Sequence, residues 1–163
     1  MNDALIVPCT GLAAVSVLAT LLAEELVAGD VLLLTGPLGA GKTTFVQALA
    51  TAMDVGEDQY VSSPSFALVH EYRGRLPIVH MDLYRLDREE DVEAAGLLDY
   101  FDHESVCVVE WPDRLGTLTP EHRLDIRIEP DAASTRRFVL MPQGASWRQR
   151  LGRIVFPAHA GKD

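Results

Sequence analysis

Residues 31–44 read Val31-Leu32-Leu33-Leu34-Thr35-Gly36-Pro37-Leu38-Gly39-Ala40-Gly41-Lys42-Thr43-Thr44. Four consecutive apolar residues suit a strand buried on both faces of a parallel sheet. Directly after them, Gly36 to Thr43 fits the pattern GxxxxGK[ST], and Thr43 to Met53 has helical spacing with Phe45, Val46, Leu49 and Ala50 on one face. Strand, glycine loop and helix in this order make a P-loop. The glycines let the backbone curl so that its N–H groups and the positive end of the helix converge on a phosphate. Gly36, Leu38, Gly39, Ala40, Gly41 and Thr44 belong to that cradle. Lys42 reaches the β- and γ-phosphates, and the Thr43 hydroxyl ligates Mg²⁺. The plain alternative is a glycine turn with no ligand. Against it, the chain has only two lysines, Lys42 and Lys162, so a lysine at the required position is hardly background.

Outward from this segment the chain keeps an α/β rhythm. Leu12 to Val27 is spaced as a helix, and Gly29-Asp30 turns into the strand. Val61 to Tyr72 reads as a loop and then a strand, with Pro64 among three serines and β-formers at Phe66-Ala67-Leu68-Val69. Arg73-Gly74-Arg75 is a turn signal, Leu76 to Met81 a strand ending at Asp82, Glu89 to Leu98 a helix, and Val106 to Val109 a strand ending at Glu110. Beyond that the period changes to two. Leu124, Ile126 and Ile128 alternate with charged residues, 130–134 turns, and Arg137 to Leu140 returns, which predicts an antiparallel hairpin. Trp147 to Ile154 suits a short closing helix. The fold expected is a three-layer α/β P-loop domain over 1–163, with a mostly parallel central sheet and antiparallel additions from the C-terminal hairpin.

A length of 163 residues and 48% hydrophobic content allow one good core and no second domain of comparable size. The first basic residue is Lys42 and no apolar run reaches the ~20 residues of a membrane span, so a cytoplasmic protein is expected. Cys9 and Cys107 are expected to be reduced thiols, and neither has a metal-ligand partner at zinc spacing. The net charge of −10 argues against a chain that grips long nucleic acid by itself. Residues 1–113 hold 5 Lys+Arg against 19 Asp+Glu, and residues 114–163 hold 9 against 5. That asymmetry is either a solvated surface or an Arg-rich face toward an acidic partner, protein or RNA.

A P-loop enzyme needs a carboxylate near its metal, commonly at the carboxyl end of a neighbouring strand. Asp82 and Glu110 both qualify, and the residues alone do not divide the roles between them. Guanine-reading P-loop proteins use an Asn-Lys-x-Asp element, whereas the only asparagine here is Asn2, so ATP is favoured by elimination. His70, His103, His122 and His159 have no useful partner spacing and are read as structural.

Four segments in order now carry a resemblance: Gly36 to Thr44 (GPLGAGKTT), Ser63 to Phe66 (SPSF), His80 to Leu86 (HMDLYRL) and Val109 to Pro112 (VEWP). Together they resemble the TsaE (YjeE) family, bacterial ATPases of threonylcarbamoyladenosine synthesis. The resemblance implies that Thr43 and Glu110 hold Mg²⁺ and that Asp82 is needed for hydrolysis. It makes Ser62-Ser63-Pro64-Ser65 a switch near the γ-phosphate, with Ser65 where relatives commonly carry Thr. It moves Trp111 toward the nucleotide and puts part of the adenine site before the first helix, around Thr10. It also implies partners TsaD and TsaB, which modify the adenosine next to the tRNA anticodon, with tRNA reached through that complex. No residue stands out as an arginine finger, so hydrolysis is expected to be slow without a partner. A small-molecule kinase is disfavoured because the Arg-bearing stretch after residue 114 reads as a hairpin and not a lid. A binding switch without turnover stays open.

Overall fold

The computed structural model describes residues 3–157; Asn2, His159 and Lys162 lie outside them. Seven strands form one sheet in the order β1-β7-β6-β2-β5-β4-β3. In chain order they are β1 (Leu5–Thr10), β2 (Val31–Thr35), β3 (Val69–Arg73), β4 (Pro77–Asp82), β5 (Val106–Glu110), β6 (Arg123–Ala132) and β7 (Thr135–Gln143). The helices are α1 (Gly11–Glu25), α2 (Lys42–Ala52), α3 (Glu89–Ala94) and α4 (Ala145–Arg153).

The middle of the sheet, β6-β2-β5-β4, is parallel. Its edges are antiparallel, with β7 and β1 added on one side and β3 on the other. The apolar run in β2 follows from this position: Leu32 and Leu34 enter one core while Val31 and Leu33 enter the other. The first core is covered by α1, α2 and α4, through residues such as Leu18, Leu22, Phe45, Leu49 and Trp147. The second is closed by α3 and the 3₁₀ segments Leu97–Tyr100 and Pro112–Leu118. This gives the expected three layers.

Three local readings change. β1 was not foreseen. Pro8 argues against a strand, yet β1 is an edge that pairs only with β7, where a missing N–H is tolerated. Phe66 to Leu68 form a turn instead of strand: Leu68 has φ +69°, Phe66 is 83% exposed, and β3 begins at Val69. The helix expected to reach Leu98 stops at Ala94, because Gly96 adopts φ +72° and the chain restarts as a 3₁₀ turn.

Candidate functional site

The strand ends decide which side chains meet. In the parallel register Asp82 lies beside Glu110, and Glu110 beside Leu34, so both acids emerge at the edge where β2 runs into the P-loop. Gly36 cannot be replaced there: a Cβ would lie 2.6 Å from the Ile128 carbonyl oxygen of β6. Gly39 and Gly41 take φ of +77° and +106°, the left-handed region that favours glycine. The loop delivers Lys42 as the first residue of α2, only 6% exposed. Its Nζ donates to the carbonyls of Gly36 (2.6 Å) and Pro37 (3.0 Å) and sits 4.4 Å from the Trp111 ring centroid. Burial pulls the ammonium below the usual lysine value, while the carboxylates of Glu110 and then Asp82 oppose that pull.

Both acids are buried and individually held. Asp82 accepts from the Tyr84 backbone N–H (3.0 Å) and from Ser63 Oγ (2.5 Å). Glu110 accepts from His80 Nε2 at 2.6 Å, and His80 has no exposed surface. With Glu110 as a carboxylate, which only accepts, the contact takes the imidazole tautomer that carries its proton on Nε2. Immediately after Glu110 the backbone of Trp111 turns left-handed (φ +56°), and its indole lies between Lys42 and Tyr84, whose ring centroid is 5.0 Å away.

These groups surround one cavity of about 500 Å³. Of the expected residues, Leu38, Gly39, Gly41, Lys42, Thr43, Thr44, Ser63, Ser65, Asp82, Glu110 and Trp111 all line it, together with Tyr84 and Arg85. Gly36 supplies its carbonyl to Lys42 and does not face the cavity. A second cavity of about 180 Å³ shares Gly41 and Thr44 with the first and is walled by Cys9, Gly11, Leu12, Val15, Ala40, Ser134, Arg136 and Phe138. Ala40 therefore faces this second space. Thr10 lies between two of its wall residues, but the Thr10 hydroxyl pairs with Thr135 Oγ1 (3.0 Å) and is not itself in the wall.

Sequence reasoning gave no role to four residues of this region. His80 looks like one more interior position of a strand. Tyr84 and Arg85 follow Asp82 in a motif whose spacing carries no geometric information by itself. Arg136 donates from Nε to the Ala40 carbonyl (3.0 Å), a contact 96 residues apart in sequence. Most arginines of the C-terminal third have acidic partners within the described chain: Arg123 pairs with Asp125, Arg127 and Arg137 with Glu129, Arg148 with Asp3, Arg150 with Asp30, and Arg153 with Glu25. Arg114 contacts Asp113 and the Leu86 carbonyl, and Arg136 donates to the backbone carbonyls of Ala40 and Thr135.

The pair Thr43 and Glu110 offers two hard oxygen donors on one cavity, a small set that suits Mg²⁺ shared with phosphate oxygens. Among the described residues no helix is long and apolar enough to cross a membrane.

Comparison with known proteins agrees with this geometry. Residues 10–138 match the family model described as threonylcarbamoyl adenosine biosynthesis protein TsaE. A relative from Bacillus subtilis (strain 168) bearing the name tRNA threonylcarbamoyladenosine biosynthesis protein TsaE is 45% identical over 102 residues, which is 62% of each chain. A protein of the same name from Mycobacterium bovis (strain ATCC BAA-935 / AF2122/97) is 38% identical over 138 residues, covering 79% of this chain and 81% of the relative. The crystal structure of Bacillus subtilis YdiB superposes with a TM-score of 0.79 at 31% identity, covering 93% of this chain and 94% of that one. The chain therefore belongs to the TsaE family, whose members take part in tRNA threonylcarbamoyladenosine biosynthesis.

Proposed function

We propose that this protein is a single-domain, Mg²⁺-dependent cytoplasmic ATPase that supports threonylcarbamoyladenosine modification of tRNA together with TsaD and TsaB, reaching tRNA through their complex. The observation that carries the reading is the convergence of Lys42, Thr43, Asp82 and Glu110 on one cavity at the mouth of the P-loop. The backbone of Gly36 to Thr44 and the N-terminus of α2 hold the phosphates, and Lys42 trades its two loop carbonyls for β- and γ-oxygens. Thr43 and Glu110 hold Mg²⁺, which when bound neutralises charge on the phosphate oxygens. The adjoining cavity between Cys9 and Phe138 takes the adenine, with Thr10 at its margin and Trp111 on the phosphate side.

In the reaction a water oxygen bonds to the γ-phosphorus while the bond to the β,γ-bridging oxygen breaks. The bonding pair leaves with ADP, and the water proton is released as phosphate forms. Asp82 orients that water, and the loop carrying Ser63 and Ser65 closes over it; Ser63 already donates to Asp82. Such positioning and charge complementarity supply most of the catalysis in this class of reaction. The test is phosphate release from ATP by the purified protein, alone and with TsaD, TsaB and tRNA. Release that the partners stimulate and that Lys42→Ala and Asp82→Ala abolish supports the reading. An assembled complex that releases no phosphate refutes it.

A further inference from the structure

The site described so far pairs one cation, Lys42, with two carboxylates, Asp82 and Glu110. Arg85 supplies a second cation to the same cavity, and nothing acidic engages it. Among the described residues its guanidinium has no ion pair; its Cζ lies over the Phe66 ring, 3.8 Å from the ring centroid. Phe66 belongs to the Ser62 to Phe66 loop, and 83% of it is exposed. A large apolar ring left in solvent beside a polar cleft is costly, and the arginine covers part of it.

The backbone beneath Arg85 is fixed. Asp82 N–H donates to the Leu68 carbonyl (3.0 Å), Leu83 N–H to the Glu110 carbonyl (3.1 Å) and Leu86 N–H to the Leu83 carbonyl (3.0 Å). The Asp82 carboxylate caps Tyr84, and Arg114 Nε donates to the Leu86 carbonyl (2.7 Å). With Leu83 fully buried, this turn sends Tyr84 and Arg85 outward into the cleft. A rigid base with a long side chain resting on an exposed ring is an arrangement that can exchange partners without moving the fold.

We propose that Arg85 is an arginine finger supplied in cis: its guanidinium leaves Phe66 for the oxygens of the terminal phosphate as the β,γ-bridging bond breaks. The inference rests on the ATPase reading above. It is favoured by chemistry, because a planar fork of N–H donors fits phosphate oxygens and is always charged. It is favoured by strength too, because a cation–π contact with an exposed ring is weak whereas a charge-assisted contact to phosphate in a cleft is strong. Phe66 then serves as the resting place, and its loop reports whether the finger is engaged.

The experiment measures binding of Mg²⁺–ADP with and without aluminium fluoride, and single-turnover phosphate release, for the full chain and its variants. Arg85→Ala should leave ADP affinity within about 2-fold, weaken the aluminium fluoride complex more than ~10-fold and slow hydrolysis ~10²-fold or more. Arg85→Lys should recover little, since lysine lacks the fork. Phe66→Ala should tighten the aluminium fluoride complex by ~2–5-fold, the worth of the contact it releases. Equal effects of Arg85→Ala on ADP with and without aluminium fluoride, or none on either, overturn the inference and leave the ATPase intact. Wild-type protein that binds no ADP overturns both. Circular dichroism of each variant guards against misfolding.

Discussion

Replacing His80 by alanine removes the donor that fixes the Glu110 carboxylate. His80 is fully buried and its Nε2 lies 2.6 Å from Glu110 Oε2, while Glu110 is 3% exposed, so solvent cannot replace the lost bond. A hydrogen bond to a charged group contributes about 1.5–3 kcal/mol, and each 1.4 kcal/mol is a factor of ten. If that energy serves to aim the other carboxylate oxygen at the cavity, metal affinity should fall about 10–100-fold, the range seen when partners of metal ligands are removed. The assay is titration of Mn²⁺ followed by electron paramagnetic resonance in the presence of ADP, which reads the metal and not turnover. His80→Gln should restore most of the affinity, because its amide N–H reaches the place of Nε2. Mn²⁺ affinity within 2-fold of wild type in a folded His80→Ala protein, or a glutamine variant as impaired as the alanine one, would refute the reasoning.

Asp30→Ala should cost about 3–5 kcal/mol of stability, because Asp30 and Arg150 are each 7% exposed and joined by two bonds of 2.6 and 2.8 Å, so the arginine is left buried and unpaired; urea unfolding followed by circular dichroism measures it, and a loss under 1 kcal/mol contradicts the account. Burial raises the Cys9 thiol from 9.0 to about 11 and that of Cys107 from 9.0 to about 12. The folded state thus binds more protons than the unfolded one above pH 9; stability is fully present below that pH and declines by about 1.4 kcal/mol per pH unit for each thiol until pH 11–12. Urea midpoints at pH 8 and pH 10 should differ, the difference should shrink in a Cys9→Ala/Cys107→Ala protein, and an equal slope in both proteins refutes the assignment.

The parts of this site that could be read from sequence are those whose chemistry is written in consecutive residues. The P-loop, the apolar strands β2, β4 and β5 and the acids that end β4 and β5 are local patterns, and the parallel register brings them together. What escaped reading depends on tertiary partners. β1 exists only because β7 offers its edge, Phe66 leaves the sheet to sit under Arg85, and His80 matters only because Glu110 stands one strand away. Arg85 had no legible role, since an arginine in a turn normally points to water. Arg136 shows the same limit over a longer distance, since its contact with Ala40 is visible only after the hairpin has folded onto the sheet.

The place of β2 in the strand order also bears on how the protein is made. The strand that carries the P-loop has β5 on one side and β6 on the other, both of which leave the ribosome well after it. The second cavity likewise needs Cys9 and Phe138 at once, from nearly opposite ends of the described chain. Until β7 has emerged and paired with β1, the second cavity lacks Arg136 and Phe138, whereas the lining of the first, within residues 38–111, has already been made. Stabilisation by a ligand that fills both cavities, which grows with the logarithm of its concentration over the dissociation constant, therefore reaches its full extent only in the finished chain. On the proposed ATPase reading the nucleotide is a late lock on folding more than a template for it, and an incomplete chain stopped before β7 should be less protected by ATP and more open to proteases.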